Sequence, residues 1–245
     1  MGLWGLAIIR QAEKRIIWVG MAKETAHQLG TPLSSLMGWA QLLRSNAEGV
    51  PGEADVRLSK AELTETVSEL ERDIERLNKV AQRFSHVGSA PQLQRQDVTP
   101  VVREVVHYMR RRMPKDRGEA TITERYESTH EVDLNPELLE WALENLISNA
   151  LNAFDKRPAQ IDVSVAPRRD GREVEIVVKD NGRGMSPREQ RRAFEPGYTT
   201  RRRGWGLGLA LARRVVQEYH GGKITIRQSA PGVGTTVVIS LPARG

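Results

Sequence analysis

Apolar residues in the first third of the chain recur at alternating spacings of three and four. One series runs over 19–43 and a second over 63–84. This period is typical of helices that bury one narrow apolar face, so each series predicts a long helix. The segment between them, 46–52, contains two glycines and a proline and predicts a turn. The pattern therefore predicts an all-α helical hairpin.

The narrow apolar face of the hairpin predicts an assembly. Two hairpins related by a two-fold axis close a four-helix bundle and cover both faces. We therefore expect a homodimer through a dimerisation domain at 16–88. The alternative is that the hairpin packs on the second half of its own chain. Residues 1–15 are interpreted as the remnant of a signalling or juxtamembrane helix, since their apolar run is shorter than the ~20 residues that span a bilayer.

The period changes beyond a short turn-rich segment at 87–91. Strand-like runs lie at 121–126, 161–166, 173–179, 223–227 and 235–241, and helical patterns lie at 99–113, 135–155 and 206–220. The Asp170–Gly171 pair predicts a hairpin turn between the second and third strands. This mixture predicts an α+β two-layer sandwich over 97–245, with a mixed sheet and helices on one face.

Composition excludes some classes of protein. The 245 residues carry a net charge of +6, 39% of them are hydrophobic, and none is cysteine. The hydrophobic share is enough for a core, and the lack of cysteine excludes disulfides, thiolate metal sites and a thiol nucleophile. So modest a positive charge does not indicate nucleic acid, and we expect no nucleic-acid partner.

Four polar or glycine-rich motifs follow one another in the second half. Asn145 and Asn149 share one helical face, and the run Asp180–Gly184 follows a predicted strand. The segment 194–200 leads into the basic run 201–203, and Gly204–Gly208 opens a helix. A buried Asp can accept a hydrogen bond from an exocyclic amine, glycine turns at helix starts suit phosphates, and an Asn oxygen can ligate Mg²⁺. Each motif is weak alone, but in this order they predict a nucleotide site.

With these motifs, residues 97–243 resemble the ATP-binding domain shared by sensor histidine kinases, type II topoisomerases, mismatch-repair ATPases and heat-shock chaperones. The resemblance implies ATP and Mg²⁺ as ligands, with Asn149 as the Mg²⁺ ligand and Asn145 beside it toward the phosphates. It implies that Asp180, Gly182 and Gly184 form the adenine pocket. The other nucleotide-binding residues that it implies belong to a lid, a phosphate-facing turn and the last strand: Phe194, Thr199, Thr200, Gly204, Gly206, Leu207, Gly208 and Thr235.

Two departures from the family pattern concern the phosphates. Histidine kinases often carry Lys three residues after the second Asn, where this chain has Asn152. Lys156 or the run 201–203 is expected to supply the positive charge instead. The ATPase branches carry a water-activating Glu at the position of Asn145, so this chain favours phosphoryl transfer over hydrolysis.

A second resemblance lies in the first half. The sequence from Glu24 to Leu33 resembles the phosphoacceptor motif of histidine kinases, with His27 as the acceptor. The neighbours of His27 fall on the apolar face, so His27 points outward, and Glu24 and Thr31 share its side of the helix. Most members carry an acid directly after the His, where this chain has Gln28. Glu24 either replaces that acid in part or is a surface charge, and Thr31 is expected to position water in a reverse, phosphatase reaction.

The resemblance implies the cytoplasmic core of a sensor histidine kinase. ATP with Mg²⁺ would phosphorylate His27, and the phosphoryl group would pass to an aspartate in the receiver domain of a response regulator. The full-length protein is expected at the inner membrane, through N-terminal segments outside this sequence. Two alternatives stay open: an ATP-binding pseudokinase scaffold and an ATPase of the same fold.

Overall fold

The described residues fall into two compact units, one that contains residues 29–85 and one that contains residues 91–244. The structure, a computed structural model, describes residues 29–30, 32–45, 59–85, 91–113, 120–127, 130–154, 158–168, 170–201 and 206–244. Among these residues, no helix is both long enough and apolar enough to cross a membrane.

The first unit is helical where it is described. Helix α1 includes residues 29–30 and 32–45, and helix α2 is Lys60–Ser85. Helix α2 starts at a reciprocal cap, in which the Glu62 backbone N–H donates to the Ser59 hydroxyl and the Ser59 N–H donates to the Glu62 carboxylate. These bonds satisfy donors that have no partner within the helix. Both predicted helices are therefore present within the described residues.

Much of the apolar series in the first unit stays exposed in the single chain. On α2, Leu70 and Leu77 are half-buried, while Thr66 and Asp73 are buried. The exposed large apolar side chains of the two helices are Leu33, Met37, Leu42, Leu63, Val67 and Ile74. These residues leave apolar surface on both helices.

The second unit contains seven strands and four α-helices among its described residues. In chain order its elements are β1 (Gln94–Gln96), α3 (Thr99–Arg111), β2 (Ala120–Tyr126), β3 (Glu131–Leu134), α4 (Pro136–Leu151), β4 (Ala159–Pro167), β5 (Glu173–Asp180), α5 (Pro187–Arg192), α6 (Gly208–Arg214), a π-helical segment (Val215–Tyr219), β6 (Lys223–Ala230) and β7 (Gly234–Arg244).

The seven strands form one mixed sheet in the order β1-β3-β7-β5-β4-β2, with β6 also paired to β7. Strands β2 and β4 run parallel, and the other pairs are antiparallel. Strand β5 pairs along its length with both β4 and β7. A bulge between Ile226 and Gln228 interrupts the pairing of β6.

The core lies between the sheet and the helices. Burial alternates along β4 and β5, because successive side chains point to opposite faces of a sheet and only one face is covered. Helices α3 and α4 cover that face with rows of buried aliphatic residues. Among the largest fully buried side chains are Val102, Val106, Leu138, Leu139, Leu143, Ile147, Ile161, Ile176, Ile239 and Leu241. The predicted α+β architecture with a mixed sheet is thus confirmed.

The sequence prediction missed three short elements and one irregular segment. Strands β1 and β3 have three and four residues, too few to show a period. Helix α5 has six residues, yet the spacing of Ser186 and Glu189 is that of a capping box, and the structure contains both of its bonds. The predicted helix 206–220 is α6 followed by the π-helical segment.

His220 joins the end of the π-helical segment to the start of α4. Its Nδ1 is 2.8 Å from the Val215 carbonyl oxygen, and its Nε2 accepts a hydrogen bond from the Asn135 N–H at 3.0 Å. Asn135 in turn caps α4, because its side-chain oxygen accepts from the Leu138 N–H. The ring is therefore held neutral, with its proton on Nδ1. Burial lowers the pKa of His220 below its usual 6.5, against the raising effect of the bond to the Val215 carbonyl oxygen.

This arrangement makes stability depend on pH. Because the pKa of His220 is lower in the folded state, the unfolded chain binds its proton first. The contribution of neutral His220 is complete above about pH 6.5 and decreases as pH falls toward the folded pKa. We expect urea unfolding at about pH 8 and pH 5.5 to show a smaller loss of stability on acidification for His220→Gln than for the wild type. His107→Gln, at an exposed position on α3, is the control, and an equal acid loss in all three proteins would contradict the assignment.

Candidate functional site

The predicted site residues fall into two sets. Those outside the described residues are Glu24, His27, Gln28, Thr31, Lys156 and Gly204. The remaining residues lie in the second unit, at the ends of α4 and β5, in the segment 194–201 (the lid segment), at the start of α6 and at the start of β7.

Asn145 lies against the start of α6. Its Nδ2 donates to the Trp141 carbonyl oxygen at 2.8 Å, and its Oδ1 faces Gly208. A Cβ atom at Gly208 would lie 2.8 Å from that oxygen. Glycine at the first position of α6 therefore lets this helix approach the face of α4 that carries Asn145.

Asn149, one turn further along α4, contacts the lid segment. Its side-chain oxygen accepts a hydrogen bond from Nη2 of Arg201 at 2.9 Å, and its backbone oxygen lies 3.3 Å from the same nitrogen. Asn152 turns back on its own helix, since its Nδ2 donates to the Ser148 carbonyl oxygen at 2.7 Å. Arg201 thus brings a positive charge to the side of α4 where the family often carries a lysine.

Asp180 ends β5 as a buried carboxylate. Its Oδ1 accepts from the Gly182 N–H at 2.9 Å, and the backbone N–H of Thr235 on the paired strand also donates to the carboxyl group. Burial raises the pKa of Asp180, and these two hydrogen bonds partly oppose that shift. The carboxylate is a fixed acceptor at the edge of the site.

The glycines after Asp180 permit two close contacts. A Cβ atom at Gly182 would lie 2.7 Å from the Ala153 carbonyl oxygen, just after α4. Gly184 has φ +67°, and its Cβ would lie 1.8 Å from the Ala230 carbonyl oxygen at the end of β6. The loop therefore packs directly on backbone at both positions, and no side chain fits.

Two residues absent from the sequence predictions hold this loop to β6. The Ser229 hydroxyl accepts from the Met185 N–H at 2.8 Å and lies 2.9 Å from the Thr235 hydroxyl. The Gln190 side chain donates to the carbonyl oxygens of Met185 and Ser229. No sequence signal points to these bonds, because the partners of Ser229 and Gln190 lie up to 44 residues away.

Arg183 is a further residue that sequence reasoning did not single out. Its backbone is fixed on both sides, since its N–H donates to the Ala153 oxygen at 2.8 Å and its own oxygen accepts from the Gly232 N–H at 2.6 Å. Its guanidinium group donates to the hydroxyl of Thr200 in the lid segment.

The lid segment is fixed at its base. Phe194 packs against the hydrophobic core, and the Gly197 N–H donates to the Gly206 oxygen at 3.1 Å. The Thr199 hydroxyl accepts from the Arg201 N–H at 3.1 Å. Leu207 is buried immediately before α6. Together these contacts bring two guanidinium groups, a buried carboxylate and two amide side chains to one side of the unit, which is chemistry that suits a nucleotide and its phosphates.

The comparisons with known proteins agree with this geometry. Residues 134–245 match the family model described as histidine kinase-, DNA gyrase B- and HSP90-like ATPase. Sensor histidine kinase ZraS of Klebsiella oxytoca is 29% identical over 236 residues, covering 95% of this chain and 48% of that protein. The kinase/phosphatase MprB of Mycolicibacterium paratuberculosis is 32% identical over 247 residues, covering 95% of this chain and 44% of that protein. The chain thus spans about half the length of these relatives.

Solved structures indicate the same class of protein. A mycobacterial sensor histidine kinase MprB structure is 26% identical and matches with a TM-score of 0.53, over 62% of this chain and 98% of that one. Two others share the fold at lower identity. Full-length ShkA in complex with AMPPNP is 22% identical, with a TM-score of 0.59, over 91% of this chain and 46% of that one. ThkA in complex with the response regulator TrrA is 18% identical, with a TM-score of 0.56, over 100% of this chain and 67% of that one.

The second unit is therefore an ATP-binding domain of the class that histidine kinases share with DNA gyrase B and HSP90. Similarity to the kinases of that class extends over the first unit as well. The chain is thus similar to sensor histidine kinases along 95% of its length, and its second unit matches their ATPase domain.

The contact at Gly184 generates a prediction about stability. Gly184→Ala adds a methyl group that overlaps the Ala230 backbone, in addition to the cost of a left-handed backbone. Gly221→Ala is the matched control, because Gly221 has φ +62° and nothing within 4 Å of its Cβ position. We expect Gly221→Ala to lower the free energy of unfolding by about 1–2 kcal/mol, and Gly184→Ala to lower it by a further ~1–3 kcal/mol. Equal values in urea titrations would show that the loop moves away from β6 without cost.

Proposed function

We propose that the chain is the kinase core that transfers the γ-phosphoryl group of ATP to His27, and from there to an aspartate in the receiver domain of a response regulator. The observation that carries this proposal is the similarity to sensor histidine kinases along 95% of the chain, which includes the segment around His27 as well as the ATP-binding domain. The complex of ThkA with the response regulator TrrA supports the choice of partner.

The nucleotide site follows from the geometry of the second unit. Asp180 is a buried acceptor that can receive a hydrogen bond from the adenine amine, and Thr235 and Gly182 orient it. The ShkA complex with AMPPNP, which has the same fold, supports ATP as the ligand. We place the phosphates between α4 and the lid segment, where Asn145, Asn149, Arg201 and Gly208 meet.

The residues present fit a Mg²⁺ ion that binds with ATP. Oδ1 of Asn149 is an oxygen donor of the kind that Mg²⁺ prefers, and it already holds a cationic group, the guanidinium of Arg201. The described residues contain no cluster of three or more His, Asp or Glu side chains that could hold a metal. Asn149 would therefore supply one ligand, and phosphates and water the rest. When bound, Mg²⁺ neutralises charge on the phosphates and orients the leaving group.

Phosphoryl transfer needs a nucleophile but no base for water. The lone pair of an imidazole nitrogen of His27 attacks the γ-phosphorus, a P–N bond forms, and the bond to the β–γ bridging oxygen breaks, so that ADP leaves with the electron pair. The proton on the ring must then pass to a base. Asn145 cannot act on water, because its amide nitrogen already donates to Trp141 and an amide oxygen is not basic.

The second transfer returns His27 to its starting form. A carboxylate oxygen of the receiver aspartate attacks the phosphorus, a P–O bond forms and the P–N bond breaks, with the electron pair returning to the imidazole. For the full-length protein we propose attachment to the inner membrane, with this core in the cytoplasm.

Labelling with γ-³²P-ATP tests the function. We expect label on the wild type that is stable to alkali and lost in acid, as phosphohistidine is, and no label on His27→Gln. Released phosphate without labelled protein would instead indicate an ATPase. Nucleotide binding with neither product would indicate a pseudokinase scaffold.

The same labelling assay tests which residue is the base that accepts the proton. Glu24→Gln should phosphorylate about 10²–10⁴-fold more slowly if Glu24 accepts the proton. Gln28→Glu restores the acid that most family members carry, so it should raise the rate or rescue Glu24→Gln. A wild-type rate for Glu24→Gln would make Glu24 a surface charge.

The exposed apolar residues of α1 and α2 support a homodimer through a four-helix bundle. Val67 and Ile74 are 43% and 48% exposed in the single chain, at spacings that place them on one face of α2. A soluble bundle covers such a face with a second copy. Burial of one such side chain contributes ~1.5–3 kcal/mol, and a two-fold interface contains each residue twice.

Light scattering tests the assembly. We expect a dimer mass at micromolar concentration for the wild type and a dimer about 10²-fold weaker or more for Ile74→Gln. Arg72→Gln is the control, because Arg72 is exposed on α2 two residues away and outside the apolar series. A monomer mass for the wild type, or equal dissociation of both variants, would contradict the dimer.

A further inference from the structure

Arg201 is hydrogen-bonded to the oxygen atom of Asn149 that, in the proposed function, binds the metal. Its Nη2 donates to Oδ1 of Asn149 at 2.9 Å and lies 3.3 Å from the backbone oxygen of the same residue. Its own N–H is tied to the Thr199 hydroxyl at 3.1 Å. The guanidinium therefore reaches from the lid segment to the side of α4, 52 residues away in sequence.

Within the described part of the chain, no carboxylate pairs with this guanidinium. Among the described residues neither Arg201 nor Arg183 forms an ion pair, and the only charged group that perturbs Arg201 is Arg183. Partial burial, and secondly the charge of Arg183, lower the pKa of Arg201. Glu189 interacts electrostatically with Arg183. The partly buried charge of Arg201 feels the like charge of Arg183, an arrangement that an anion would relieve.

A cation on Asn149 also competes with a second cation on the same oxygen. Mg²⁺ and a guanidinium that share one amide oxygen would lie a few ångströms apart and repel each other. A metal that binds Asn149 must therefore displace Arg201.

We propose that Arg201 is a specificity residue that exchanges partners: its guanidinium bonds to Asn149 until Mg²⁺ and ATP take that oxygen, and it then bonds to the terminal phosphate. The proposal rests on the proposed function, because it needs the nucleotide at this site. The planar guanidinium matches the oxygens of a terminal phosphate. Arg183, whose backbone is fixed, remains in place as the second cation.

The exchange discriminates between ATP and ADP. With ATP, Arg201 loses its hydrogen bond to Asn149 and gains hydrogen bonds to the γ-phosphate. ADP has no γ-phosphate. Arg201 then either gives up its hydrogen bond to Asn149 without gaining another, or keeps that bond and competes with Mg²⁺ for the oxygen of Asn149. The side chain therefore weakens the binding of the product and leaves that of the substrate nearly unchanged.

Calorimetry with ADP and with AMPPNP, each titrated at several Mg²⁺ concentrations, tests the proposal without catalytic turnover. Arg201→Met removes the charge and the donors and keeps much of the aliphatic stem. We expect this variant to bind ADP about tenfold more tightly, which corresponds to the free energy of one charge-assisted hydrogen bond. It should also need a lower Mg²⁺ concentration for half-maximal ADP affinity. Its affinity for AMPPNP should change little, so the preference for AMPPNP over ADP should fall about tenfold.

Two further variants sharpen the result. Arg201→Lys keeps a charge without the fork of donors and should retain part of the preference. Arg191→Met removes the same side chain from an exposed position on α5 and should leave the ratio of the two affinities unchanged. If Arg201→Met and Arg191→Met give the same affinities and the same Mg²⁺ dependence, while the wild type binds both nucleotides, the exchange is wrong and the proposed function stands. If the wild type binds neither nucleotide, both are wrong.

Discussion

The pairing of β5 with two neighbours is the constraint on which the nucleotide site depends. Because β5 is hydrogen-bonded to β4 on one side and β7 on the other, its last residue, Asp180, comes to lie opposite Thr235. That register brings the backbone N–H of Thr235 to the carboxyl group of Asp180. It also turns the following glycines onto the ends of α4 and β6. A slip of one residue would turn Asp180 to the other face of the sheet, and the acceptor would leave the site.

Local chemistry explains what could be predicted from the sequence. Helices and longer strands follow from the period of their apolar residues, and Asn149 and Asp180 follow from motifs whose members lie within a few residues of one another. The contacts of Arg201 with Asn149 and of Ser229 with Met185 could not be predicted, because 52 and 44 residues separate the partners. Such contacts depend on how helices pack on the sheet. The π-helical segment is another case, since the buried His220 at its end bonds to Asn135, which lies 85 residues away in the sequence.

The site combines one buried carboxylate with amide and guanidinium groups. This set of side chains agrees with the proposed transfer of a phosphoryl group to a protein side chain. Asp180 accepts hydrogen bonds from two backbone donors, an arrangement that suits recognition of a ligand donor better than proton transfer. Asn145 is committed to the backbone of its own helix. Where the ATPase branches have a carboxylate beside the phosphates, this unit has a neutral amide. On the proposed function, the base for the reaction would therefore be a residue near His27 in the sequence.

The two long outer strands of the sheet differ in how they end the hydrogen-bonding network. In β2, the carbonyl oxygen of Ile122 already accepts two hydrogen bonds from the Arg110 guanidinium, which Glu124 holds in place. In β6, the bulge between Ile226 and Gln228 breaks the regular row of backbone groups. Both devices discourage the addition of another strand. At high protein concentration, two of these domains that meet edge to edge would therefore find few backbone groups ready to pair into a continuous sheet.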